Sequence, residues 1–169
     1  MQMLFRCWQW RYTYFPDIDV RLREREGKLL YLPSQREDTR KTRTGNLAMK
    51  KILIVDDDDL FLKGFDKALQ TVSTEVKTVE TGNAALQEIE GSQYHLCFLD
   101  LFLPDLSGVE VLKRIKETSP ETKVIAMTAG VVTSSMQETI EKDAYMFITK
   151  PLDLLQIRML TRRILEEST

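Results

Sequence analysis

The sequence predicts an α/β fold: five parallel strands in one doubly wound sheet, helices on both faces, and a poorly ordered extension in front. Three observations carry this. From Lys51 onward, strand-length apolar runs alternate with stretches of helical period. The first, third and fourth runs are almost wholly apolar, as strands covered on both faces must be. Four runs end in polar residues, at the edge where an open α/β sheet has its binding crevice. Such βα units imply parallel strands and right-handed crossovers.

Each element follows in order. The first run, 51–55 (Lys-Ile-Leu-Ile-Val), leads into Asp56 to Asp59. Leu60, Phe61, Gly64, Phe65, Ala68 and Leu69 then recur at three and four. Asp58 and Asp59 read as cap and first-turn charges of that helix. The second run, 75–79 (Glu-Val-Lys-Thr-Val), alternates and is assigned to an edge. Ala84, Ala85, Leu86 and Ile89 mark the next helix. The third run, 94–99, stops at Asp100, followed by a loop with Pro104, Ser107 and Gly108. Val109, Val111, Leu112 and Ile115 are helical in spacing. The fourth run, 123–127, ends at Thr128, and the fifth, 145–149, at Lys150-Pro151. Leu154, Leu155, Ile157, Leu160, Ile164 and Leu165 mark the last helix.

The totals bound the function. A chain of 169 residues suits one domain plus an extra segment. Residues 1–48 form that segment and 49–169 the domain. The segment carries ten Lys/Arg against six Asp/Glu, with an aromatic, basic stretch from Phe5 to Phe15. It is expected to be a disordered tail, or the product of a start placed too early, since Met49-Lys50-Lys51-Ile52 reads as a natural beginning. The functional alternative is contact with nucleic acid or a membrane surface. The remainder is acidic, which argues against a nucleic-acid platform there. No apolar run approaches the roughly 18 residues needed to cross a bilayer, and the N-terminus lacks the apolar stretch of a signal peptide. Cys7 and Cys97 make no disulfide framework, so a cytoplasmic location is expected. His95 is the single histidine, which rules against multi-histidine metal sites and a remote catalytic histidine.

In a parallel sheet the carboxyl ends of the strands share one edge. Asp56, Asp57, Asp100, Thr128 and Lys150 are therefore expected to meet. Two carboxylates at about 4 Å repel by roughly 4 kcal/mol at an effective dielectric of 20. A hard divalent cation offsets this, and Mg2+ takes one or two carboxylates together with waters and phosphate oxygens. An aspartate beside it can attack a phosphoryl group and form an acyl phosphate. Lys150 would neutralise phosphoryl oxygens and Thr128 would donate to one of them. Small Ala129 leaves room for access. Singly, each residue has an ordinary reading: Asp100 as a cap, Thr128 as a strand end, Lys150 as a surface lysine, His95 as a strand-edge residue. Their joint occurrence at four strand ends favours the chemical one.

These pieces, Ile52 to Asp57, Leu99-Asp100 with Leu103-Pro104 and Ser107 to Glu110, Ala126 to Ala129, and Lys150 to Asp153, stand in the order of a known family. The segment from Lys50 to Leu165 resembles a response-regulator receiver domain of two-component signalling. The resemblance implies a flavodoxin-like fold with strand order 2-1-3-4-5 and five helices. Asp100 would be the phosphoacceptor. Asp56, Asp57, Asp100 and the backbone carbonyl of Phe102 would hold Mg2+. Thr128 and Lys150 would contact the phosphoryl group, Thr128 and Phe147 would form the switch, and the Lys150-Pro151 bond would be cis. A histidine kinase or phosphotransfer protein would donate the phosphoryl group. An unknown downstream protein would read the face of the fourth helix, fifth strand and fifth helix. Dimerisation on phosphorylation stays open.

There are departures. Asp143 stands where the family often has Gly, and its tolerance of left-handed backbone is expected to preserve the turn. Phe102 and Gly130, each two past a key residue, border the path of an attacking water. Bulky Phe102 is expected to slow hydrolysis of the acyl phosphate. The chain ends shortly after its last helix, which reads as a stand-alone receiver. The alternatives are a pseudo-receiver that only docks or dimerises, an aspartate-nucleophile phosphatase, and a regulator whose residues 1–48 bind DNA. The phosphatase reading suffers because Phe102, not a second carboxylate, lies two past Asp100.

Overall fold

The computed structural model describes residues 21–25, 28–32 and 49–167. The chain divides into two units, Met1–Thr44 and Gly45–Thr169. In the first, Arg21–Arg25 and Lys28–Leu32 form an antiparallel pair. The remainder of 1–48, including the stretch from Phe5 to Phe15, lies outside the described residues.

The second unit runs β1 (Lys50–Val55), α1 (Asp59–Leu69), β2 (Thr74–Val79), α2 (Gly82–Gly91), β3 (Leu96–Asp100), α3 (Gly108–Thr118), β4 (Lys123–Thr128), α4 (Ser134–Asp143), β5 (Met146–Thr149) and α5 (Leu154–Glu166). All five strands are parallel, in the order β2-β1-β3-β4-β5. This is the fold and strand order anticipated from the sequence. The alternating run became β2, an edge strand as expected, and the apolar runs became the three central strands.

The period-two geometry of the strands divides the core between the two faces. Ile52, Ile54, Leu96, Phe98, Ile125 and Met127 pack with Leu62, Phe65 and Leu69 of α1 and Ile157, Ile164 and Leu165 of α5. Leu53, Val55, Cys97, Leu99 and Val124 pack with Ala85, Leu86 and Ile89 of α2 and Val111, Leu112 and Ile115 of α3. Fully burying a side chain of this size contributes about 1.5–3 kcal/mol. The sheet is therefore anchored from both sides, and its carboxyl edge is held as a rigid shelf.

Helix phase corrects two details. The Asp58 side chain accepts the N–H groups of Leu60 (2.9 Å) and Phe61 (3.0 Å), which fixes where α1 begins. That phase turns Leu62 inward and leaves Leu60, an apolar residue of the periodic set, 80% exposed. Asp153 caps α5 in the same way through Leu155 (2.8 Å) and Gln156 (3.2 Å), and Leu154 and Leu155 face outward. Asp143 is the last residue of α4 and so is helical, not left-handed, and Ala144 leaves the helix in extended backbone (φ −82°, ψ 140°).

His95 sits at the amino-terminal edge of the sheet, just before β3. Its Nδ1 accepts the Lys51 N–H at 3.1 Å, and its own N–H donates to the Lys51 carbonyl at 2.9 Å. The Nδ1 lone pair is thus needed as an acceptor, so the native fold holds the imidazole neutral. Burial first, then the charge of Lys50, lowers its pKa below the ordinary 6.5. With the folded value depressed, the contribution is complete above pH 6.5 and is lost as pH falls toward the folded value. The urea midpoint is expected to drop between pH 7.5 and 5.5, and His95→Asn, whose amide oxygen can replace Nδ1, should flatten that drop.

Candidate functional site

Adjacent strands in register bring the polar strand ends together. Val55 of β1 pairs with Leu99 of β3, Asp100 with Met127 of β4, and Thr128 with Thr149 of β5. The residues that follow each pairing project over the same edge. Asp56 is fully buried, Asp100 is 5% exposed and Thr128 1% exposed. Asp57 is exposed.

Lys150 joins the two buried carboxylates. Its Nζ donates to Asp56 Oδ2 and to Asp100 Oδ2, each at 2.5 Å. The second oxygen of each carboxylate is also used. Asp56 Oδ1 accepts the Asp58 N–H at 3.1 Å, and Asp100 Oδ1 accepts the Phe102 N–H at 2.9 Å. Asp100 thus does serve as a local cap, but the same carboxylate binds Lys150. The Lys150 N–H donates to the Thr128 carbonyl at 2.7 Å, which ties the lysine to β4. The Lys150-Pro151 peptide is cis, as expected. On its remaining side the ammonium lies over the Phe61 ring, 4.6 Å from the centroid.

Burial raises the pKa of Asp56, and the hydrogen bonds from Lys150 and the Asp58 N–H only partly oppose it. Burial alone would lower Lys150, but its hydrogen bonds to Asp100 and Asp56 outweigh that and hold it above the usual lysine value. Carboxylate oxygens of Asp56, Asp57 and Asp100 lie within 4.8 Å of one another. Three such groups against one ammonium leave a negative excess, and an all-oxygen donor set of this size suits a hard divalent cation.

The rim is built from close packing. A Cβ at Gly108 would lie 2.2 Å from the Asp100 carbonyl oxygen, so only glycine allows the loop to close on the end of β3. Phe102 is 47% exposed, and its ring lies over Gly130, where an added Cβ would come within 2.5 Å of it. The Gly130 N–H donates to Thr128 Oγ1 at 2.9 Å. Phe147 of β5, half-buried, packs against the group formed by Leu101, Val109, Ala126 and Ile140.

Two residues escaped the sequence reading. Phe61 has the helical period of a core residue, yet it also meets Lys150. Asp105 accepts the N–H groups of Gly82 (2.8 Å) and Asn83 (2.9 Å), capping α2 from the loop after β3. These bonds, that to Asn83 foremost, lower its pKa. A cap delivered from 22 residues away leaves no local pattern to find.

A family model described as "Response regulator receiver domain" matches residues 52–162. The chain belongs to this family. Such domains are signalling phosphoacceptors that bind Mg2+ at an acidic pocket and interact with histidine kinases and downstream effectors. The chain is 34% identical over 115 residues to transcriptional regulatory protein BasR of Escherichia coli K12, covering 68% of this chain and 52% of that protein. It is 32% identical over 121 residues to hybrid signal transduction histidine kinase L of Dictyostelium discoideum, covering 67% of this chain and 7% of that one. It therefore spans about half or less of these two proteins. Among solved structures it resembles the BeF3-activated DrrB receiver domain, with a TM-score of 0.63, 38% identity, and coverage of 70% of this chain and 98% of that one. A CheY-like receiver protein from Methanospirillum hungatei JF-1 gives a TM-score of 0.65 at 27% identity, covering 72% and 98%. Among the described residues of this receiver, no helix is long and apolar enough to cross a membrane.

The shared ammonium yields a test. Removing one partner of a buried ion pair costs about 3–5 kcal/mol, and here it would leave two buried carboxylates facing each other. Lys150→Met is expected to lower the urea midpoint without divalent cation. Added Mg2+ should then raise it by more than in the wild type, because ligand bound only to the folded state stabilises it.

Proposed function

We propose that the domain accepts a phosphoryl group on Asp100 from a histidine kinase or phosphotransfer protein, and that this changes which partner it binds. The observation that carries the reading is the Lys150 ammonium bridging Asp56 and Asp100, the buried carboxylates at the ends of neighbouring strands. Asp56, Asp57, Asp100 and the Phe102 carbonyl would hold Mg2+, which supplies charge neutralisation for the incoming phosphoryl oxygens. An Asp100 carboxylate oxygen attacks phosphorus, a bond from oxygen to phosphorus forms, and the donor's nitrogen or oxygen leaves with the electron pair. Lys150 then exchanges a carboxylate oxygen for a phosphoryl oxygen, and the Thr128 hydroxyl donates to another.

The output follows from charge. The aspartyl phosphate brings added negative charge and strong acceptors to Asp100, beside the carboxylates of Asp56 and Asp57. Thr128 is drawn toward them, which vacates space for Phe147 and reshapes the face of α4, β5 and α5. That face is read by a partner protein, and the acidic character of residues 49–169 disfavours nucleic acid as its direct partner. The domain turns over no external phosphate ester, because Phe102 stands where a phosphatase of this type needs a second carboxylate. The presence of all acceptor-site residues favours phosphorylation over a purely docking role. A cytoplasmic location agrees with this chemistry.

Incubation with acetyl phosphate and Mg2+, followed by intact mass, tests the reading. Wild type should gain one phosphoryl group and Asp100→Asn none. Phe102→Asn should lose it faster, since the ring that covers Gly130 is gone. Phe147→Ala should gain and lose it at the wild-type rate while failing to transmit the signal. An unchanged mass in wild type would overturn the proposal.

A further inference from the structure

Lys150 is held on three sides, and two of them are the carboxylates of Asp56 and Asp100. The third is the face of Phe61, whose ring centroid lies 4.6 Å from Nζ. An ammonium over an aromatic face at this distance is attracted by the ring quadrupole, more strongly where water is excluded. The Lys150 side chain is only 17% exposed, so this contact is largely desolvated.

The ring is itself fixed. Asp58 accepts the Phe61 N–H at 3.0 Å and sets its place in the first turn of α1. Four residues on, the Phe65 ring stacks on Phe61 with centroids 4.8 Å apart and planes at 27°. Phe65 in turn meets Phe98 edge-on at 5.0 Å and 79°. Phe98 is fully buried in β3, two residues before Asp100. A column of three rings therefore runs from the strand that carries Asp100 to the underside of the ammonium. Asp100 and the support of its cation are referenced to the same strand.

We infer that Phe61 is a positioning residue: its aromatic face fixes the Lys150 ammonium between Asp56 and Asp100 and so sets the rate of phosphoryl uptake. Hydrophobic bulk alone would fill the same space without orienting the charge. The rate part of this inference rests on the function proposed above, and the placement of Lys150 does not.

Phe61→Leu, which keeps apolar volume and loses the ring, and Phe61→Trp, which keeps a ring face, separate the two roles. Two readouts are taken on the full chain: the Lys150 Cε–Hε resonances without metal, and uptake from acetyl phosphate with Mg2+ by intact mass. In Phe61→Leu the Lys150 Hε signals should move downfield as the ring current is lost, and uptake should fall about 3- to 10-fold. Phe61→Trp should keep the signals upfield and stay within about twofold of wild type. The inference is overturned if Phe61→Leu leaves the Lys150 signals in place, if it takes up phosphoryl at the wild-type rate, or if Phe61→Trp falls as far as Phe61→Leu. If wild type itself takes up nothing, the proposed function fails, and the resonances alone decide whether Phe61 places Lys150.

Discussion

Two carboxylates taken out of water at the ends of neighbouring strands cannot be left to face each other. That constraint organises the carboxyl edge of the sheet. Asp56 and Asp100 are buried because β1 and β3 are central and covered on both faces. Their charge demands a cation, and Lys150 provides it from the end of an edge strand. The lysine in turn must be held, which the Thr128 carbonyl and the Phe61 ring accomplish. The exposed Asp57 then leaves the site with an excess of negative charge that one lysine cannot cancel. The three carboxylates so gathered form an oxygen donor set of the kind that suits a hard divalent cation.

The rest of the fold serves that edge. The two core layers fix the strand positions, and strand register fixes which residues follow one another over the edge. Gly108 lets the loop after β3 return against the Asp100 carbonyl, and Asp105 ties the same loop to the start of α2. The loop bearing Phe102 is thereby clamped at both ends. Buried polar groups of this kind cost stability unless each is satisfied. Here Asp56, Asp100 and Thr128 all have partners, whereas Thr161 Oγ1 in α5, away from the strand ends, has none among the described residues.

Much of this was legible in the sequence because it is periodic or terminal. Continuous apolar runs revealed the central strands, alternation revealed β2, and polar residues closing each run disclosed Asp56, Asp100, Thr128 and Lys150 as a group. What the sequence hid was phase and tertiary contact. Leu60 and Leu62 are equally apolar, and only the Asp58 cap decides which one faces the core. Phe61 satisfied the helical period of a core residue, so nothing in its spacing signalled a cation. Asp105 carries no signal in its local sequence, because its bonds reach across to Gly82 and Asn83.

The contact between the Phe102 ring and Gly130 reaches further than either residue. The two loops that carry them are far apart in the chain, yet one occupies the room that the other leaves by lacking a side chain. A side chain at 130 would displace the Phe102 ring, and a smaller residue at 102 would open a gap above 130. Substitutions at the two positions are therefore energetically coupled rather than additive. A change at one of the two positions is thus felt at the other, although they stand 28 positions apart in the chain.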